Sequence, residues 1–135
     1  MNNSKAFDDV INYLEKISKS ESEMDYNEIS KLAMCPSALF QRIFSFVAGV
    51  SISEYVRKRR LTLAAQELHN SDITVLEAAV KYGFQSHSSF CRAFREQHNI
   101  TPSQAKRTEA VFNNYLPITF SNIRLLGGKQ ILAEL

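Results

Sequence analysis

The stretch Ala78-Ala-Val-Lys-Tyr-Gly-Phe-Gln-Ser-His-Ser-Ser-Phe-Cys-Arg-Ala-Phe-Arg95 holds the end of one short helical pattern, a turn, and the start of a second. The first pattern runs from Val75 to Lys81, and Thr74 lies three residues before Glu77. That spacing is a capping box, in which each side chain satisfies the other's orphan backbone donor. Gly83-Phe84-Gln85-Ser86 reads as the turn. The second pattern spans His87–His98. Phe90, Ala93 and Phe94 recur at helical spacing and predict a buried stripe. Ser88, Cys91, Arg92 and Arg95 fall at i, i+3, i+4 and i+7 on the opposite side. A short helix thus braces a second one whose outer ridge is small, polar and basic.

The same plan recurs fifty residues earlier. Phe40 corresponds to Phe90, Arg42 to Arg92, Phe44 to Phe94, Lys31 to Lys81 and Ser51 to Thr101. A helix over Tyr26–Ala33, a turn at Met34-Cys35-Pro36 and a helix over Ser37–Val47 make up the first copy. Leu39, Phe40, Ile43, Phe44 and Val47 form its predicted apolar stripe, and Ala38, Gln41, Arg42 and Ser45 its outer ridge. Helix, tight turn and ridged helix make a helix-turn-helix, whose second helix fits a major groove ~12 Å wide. Aromatic residues at 40, 44, 90 and 94 are core positions in this reading.

Working outward, four capping boxes are expected, at Asp25–Glu28, Ser51–Glu54, Thr74–Glu77 and Thr101–Gln104. An amphipathic helix precedes the first copy, with Phe7, Val10, Ile11, Leu14 and Ile17 on one face. A long helix from Ile52 to Asn70 joins the two copies, and at ~1.5 Å per residue it is roughly 28 Å long. It carries Arg57-Lys58-Arg59-Arg60, the densest basic run in the chain. A seventh helix is expected over Pro102–Arg107. The fold class is therefore all-α, with two helix-turn-helix subdomains and a short β-like tail. The expected boundaries are 1–50 for the first subdomain, 51–71 for the linker helix, 72–108 for the second subdomain and 109–135 for the tail. Within the tail, Pro117 to Leu126 reads as a strand, with Gly127-Gly128 as a turn and Lys129–Leu135 as the return strand of a hairpin.

Charge is distributed unevenly. Residues 1–50 carry five basic and seven acidic side chains, whereas residues 51–110 carry nine and six. A basic middle on a chain of net charge +2 points to a local anionic contact. Cys35 and Cys91 form no CxxC pair, and His69, His87 and His98 lack ligand spacing with either, so no metal and no cofactor are expected. Unframed thiols, and no apolar signal core at the N-terminus, fit a cytoplasmic protein. No apolar run approaches the ~20 residues that span a bilayer. No nucleophile elbow, phosphate loop or carboxylate pair is present, so enzymatic activity is not expected.

Three segments resemble the AraC/XylS family of transcription regulators: Ser51-Ile-Ser-Glu-Tyr-Val-Arg-Lys-Arg-Arg-Leu-Thr-Leu-Ala-Ala, the stretch 78–95, and Ile100-Thr-Pro-Ser. The resemblance covers about residues 8–108. It implies a seven-helix domain that inserts two recognition helices into successive major grooves of double-stranded promoter DNA, commonly to recruit RNA polymerase. Carried over by position, Ala38, Gln41, Arg42, His87, Ser88, Cys91 and Arg92 would contact bases. Ser37, Ser45, Arg57, Arg59, Ser89, Arg95 and Thr101 would contact phosphate. Pro36 stands where a capping serine is frequent, and Cys35 where an aromatic is. The tail resembles the entry into a gyrase-inhibitor-like domain, which implies a small-molecule effector bound through a missing C-terminal domain. A second reading keeps the fold but replaces DNA with a protein partner, and the acidic first fifty residues favour it.

Overall fold

The structure, a computed structural model, describes residues 3–119. Six α-helices occupy them: α1 Asn3–Ser18, α2 Tyr26–Ala33, α3 Ser37–Ala48, α4 Ile52–Asn70, α5 Val75–Lys81 and α6 His87–His98. No strand occurs among the described residues. The expected seventh helix is a single 3-10 turn, Gln104–Lys106. Lys106 and Arg107 donate to carbonyls three residues back, and Arg107 is already extended at ψ 148°, so the turn closes before an α-helix can propagate. Pro117–Thr119 form no strand, and the rest of the expected hairpin lies outside the described residues.

The chain divides into two compact units, one built mainly on Glu23–Tyr55 and the other on Val56–Leu116 with Ile17–Ser22. In the first, Phe7, Val10 and Leu14 of α1 are buried with Ile29, Phe40, Phe44 and Tyr55. Phe44 is the hub: its ring lies 6.4 Å from Phe7, 6.3 Å from Phe40 and 5.5 Å, edge-on, from Tyr55. In the second, Leu61, Ala64, Ala65 and Leu68 of α4 share a core with Ala78, Ala79, Phe90, Ala93 and Phe94. The four small alanines of α4 and α5 leave volume for the two phenylalanines of α6, as close packing demands.

The caps follow the sequence with two exceptions. Thr74–Glu77 and Thr101–Gln104 close both bonds of the box. Ser51 accepts from the Glu54 N–H. Asp25 caps α2 through the Asn27 N–H rather than by a box with Glu28. Ser86 and Ser89 make a full box at the start of α6, which a search for Glu or Gln at the third position overlooks. Pro36 supplies no side-chain cap. From the cap of the first helix to the start of the second, the two copies differ by one residue. Asp25 and Thr74, the caps of α2 and α5, lie forty-nine apart, whereas α3 and α6 begin fifty apart. Each turn contains a left-handed residue, Met34 at φ 58° and Gly83 at φ 79°. At Gly83 this left-handed backbone, rather than crowding, favours glycine, since a Cβ there would meet Arg60 Nη1 and the Glu21 Cα at an ordinary 3.4 Å.

The segment after the 3-10 turn is fastened to the second unit. Phe112 packs edge-on against His69 and His98, at 5.4 and 5.8 Å. The Tyr115 N–H donates to Thr62 Oγ1 at 2.8 Å. Arg59 donates from Nη1 to the Tyr115 carbonyl. This corrects the expectation for Arg59: its side chain is 5% exposed and faces the tail, not solvent. Arg59 follows Tyr55 by four residues, so the two share one helix face, and that face is covered. Arg60 is likewise structural, donating from Nη2 to the carbonyls of Ile17 and Ser22.

His98 joins α6, α4 and the tail. Its Nε2 lies 2.9 Å from the Leu61 carbonyl, and its Nδ1 accepts from the Asn113 N–H at 3.2 Å. Only the neutral ring protonated on Nε2 satisfies both partners. Burial pushes its pKa below the ordinary histidine value, against a smaller upward pull from the Leu61 carbonyl. The unfolded chain therefore binds the proton more readily, and stability falls as the pH drops below about 6.5. Urea midpoints at pH 7.5 and 5.5 should fall on acidification, and the fall should shrink in His98→Gln. An equal fall in both proteins would assign the effect to another group.

Candidate nucleic-acid interface

Two ridges project from the second helices of the paired motifs. On α3, Ala38 and Arg42 are exposed, while Ser37, Gln41 and Ser45 are half-buried. Gln41, Arg42 and Ser45 line one shallow depression together with Phe46. The sequence places Leu39 in the buried stripe, but it is 44% exposed, and Phe46 is 73% exposed. The core-facing side of α3 is narrower than expected, because only Phe40 and Phe44 are fully buried.

On α6, His87, Ser88, Arg92 and Arg95 are exposed and Cys91 is half-buried. Cys91, Arg92, Arg95, Glu96 and Thr101 line a second depression, so Thr101 reaches the ridge from outside α6. Thr101 holds its own turn as well, since its Oγ1 accepts from the Gln104 N–H. Ser89 is committed locally, with its Oγ bonded to the backbone N–H and carbonyl of Ser86. The Cys91 sulfur lies 3.7 Å from His87 Nδ1. Burial raises the pKa of both Cys35 and Cys91, so both thiols stay protonated near neutral pH, which disfavours nucleophilic or metal-binding use. Among the described residues no group of three His, Cys, Asp or Glu is placed to hold a metal ion.

The basic run on α4 contributes less to this surface than its composition implies. Arg59 and Arg60 are tied to backbone carbonyls as described. Arg57 is part-exposed, with Nη2 4.0 Å from Glu96 Oε2. Lys58 lies over the Tyr115 ring at 5.7 Å. Glu96, which the sequence reading did not select, therefore competes with any anion for Arg57. Glu96→Gln should tighten binding to duplex DNA severalfold and steepen the dependence of affinity on salt by ~0.9 per phosphate gained. Unchanged affinity and slope would remove Glu96 from the interface.

The ridge residues sit on helices whose opposite faces are locked into a core. Exposed arginine on such a ridge presents a rigid fork of donors, which matches guanine O6 and N7 or a phosphate. Small neighbours such as Ala38 and Ser88 permit close approach of the helix to a groove floor.

A helix-turn-helix domain profile matches residues 29–108. The chain is 34% identical over 96 residues to the probable transcription factor PqrA of Proteus vulgaris, covering 71% of this chain and 79% of that one. It is 47% identical over 70 residues to the transposon Tn10 TetD protein of Escherichia coli, covering 52% of this chain and about half, 51%, of that protein's length. Its fold is similar to the DNA-binding domain of AdpA, solved in complex with a target DNA, at a TM-score of 0.58 and 24% identity over 79% of this chain and 99% of that one.

Proposed function

The chain is a DNA-binding transcription regulator of the AraC/XylS helix-turn-helix family, and we propose that both of its ridges enter major grooves of promoter DNA. In this reading Ala38, Gln41 and Arg42 of α3 and His87, Ser88, Cys91 and Arg92 of α6 meet base edges. Ser37, Ser45, Arg57, Arg95 and Thr101 meet phosphates. The observation that carries the reading is the α6 ridge, where Arg92 and Arg95 stand exposed one helical turn apart beside the small Ser88. Phosphate contacts position such a helix and base contacts specify the sequence.

Selection of duplexes from a random pool tests the proposal. We expect one enriched sequence with two motifs about one helical turn, ~34 Å, apart. Affinity for it should fall steeply with salt. Enrichment of a single short motif would restrict the reading to one ridge. Failure to bind any duplex at low salt would overturn it and favour a protein partner. RNA polymerase is the partner we propose at the promoter, read by transcription in vitro with and without the protein. A small effector acting through a further domain is compatible with this arrangement, and a cytoplasmic location follows from the partners proposed.

A further inference from the structure

The two ridges differ most along one flank. On α3 that flank carries Leu39 and Phe46, both exposed, three residues before and four residues after Arg42. Fifty residues on, the matching positions of α6 are Ser89, locked in its capping box, and Glu96, paired with Arg57. The first ridge is therefore apolar where the second is polar. Phe46 also lines the same depression as Gln41, Arg42 and Ser45, so the apolar flank is continuous with the DNA-facing ridge. A phenyl ring left in water gains nothing by its exposure, and burying it against an apolar group is favourable. In the major groove the apolar group on a base edge is the thymine methyl.

Resting on the DNA-binding reading above, we propose that Leu39 and Phe46 form a methyl-reading flank that makes the base sequence under α3 depend on thymine. The two side chains are seven residues apart, two helical turns or ~10.5 Å along α3. At ~3.4 Å per base step this spans about three steps. The flank thus reads two thymines about three steps apart, beside the base pair that Arg42 reaches. Gln41, on the other side of Arg42, remains available for hydrogen bonding.

The test uses the operator enriched from the random pool and the full chain. Each thymine is replaced in turn by deoxyuridine, which removes the methyl group and leaves the pairing edge unchanged. For the native protein, affinity should fall roughly threefold to tenfold at two positions about three steps apart, the size expected for one or two apolar carbons returned to water. Phe46→Ser and Leu39→Ser should each bind the thymine operator more weakly by a similar factor, and each should become indifferent to deoxyuridine at one of the two positions. Circular dichroism and melting confirm that these surface variants fold. If no thymine is methyl-sensitive, or if the variants keep the native sensitivity, the inference is overturned while operator binding still stands. If the variants instead bind DNA normally and the native chain alone sediments as a dimer, the flank joins two copies and the inference is likewise overturned. If no duplex is enriched or bound at all, the DNA-binding reading itself fails and takes this flank with it.

Discussion

Phe44→Ala should destabilise the protein by about 3–5 kcal/mol, the usual cost of removing a buried phenyl ring. Phe44 is fully buried, and three aromatic rings, from Phe7, Phe40 and Tyr55, face it from α1, α3 and α4. Alanine would remove the ring and leave a cavity among side chains held by three helices, which limits collapse. Domains of this size are stable by only about 5–15 kcal/mol, so much of the margin would go. Urea unfolding followed by circular dichroism measures it. The control is Phe46→Ala, the same chemical change two residues along, on a ring that is mostly in solvent. It should fall within about 0.5 kcal/mol of the native protein. Equal losses in both would mean that α3 is rotated from the orientation described.

Arg92→Ala should weaken binding to the selected operator about fivefold to 150-fold, equivalent to the roughly 1–3 kcal/mol of a bidentate contact to guanine. Arg92 is exposed on the α6 ridge, so its removal opens no cavity and the melting temperature should hardly move. Binding to random duplex should change little, because phosphate contacts supply nearly all non-specific affinity. The ratio of the two affinities is therefore the informative quantity, read by fluorescence anisotropy at fixed salt. An equal loss on random duplex would make Arg92 a phosphate contact rather than a base reader.

The helices were legible in the sequence because local and tertiary signals agree. The bounds expected for α2, α4, α5 and α6 are those found, and α3 runs one residue further, to Ala48. Each of these helices has a periodic apolar pattern, a capping residue or a helix-stopping residue to mark it, and buried Phe40, Phe44, Phe90 and Phe94 lie where the stripes put them. What stayed illegible depends on contacts distant in sequence. Arg59 is buried because a segment more than fifty residues later lies over it. Nothing in the run Arg57-Lys58-Arg59-Arg60 distinguishes the buried member from the three half-buried ones. Phe112 carries no helical or strand pattern, and its contacts with His69 and His98 appear only in three dimensions. The ridges follow from helical angle and the individual contacts from the family resemblance. Helical angle separates core from surface but not the outer ridge from its flank, where Phe46 and Glu96 lie exposed.

The two fastened arginines of α4 also bear on how this sequence can drift. Position 57 presents its charge at the surface, and lysine would serve there as well as arginine. Positions 59 and 60 each place one terminal guanidinium nitrogen against backbone carbonyls, Tyr115 in one case and Ile17 with Ser22 in the other, and a lysine side chain ends one atom short of that nitrogen. In a library that allows either basic residue throughout the run, selection for folding alone, with no DNA present, should fix arginine at 59 and 60 and leave 57 mixed. One tetrad of like charges would then split into two classes of tolerance, set by shape in one half and by electrostatics in the other.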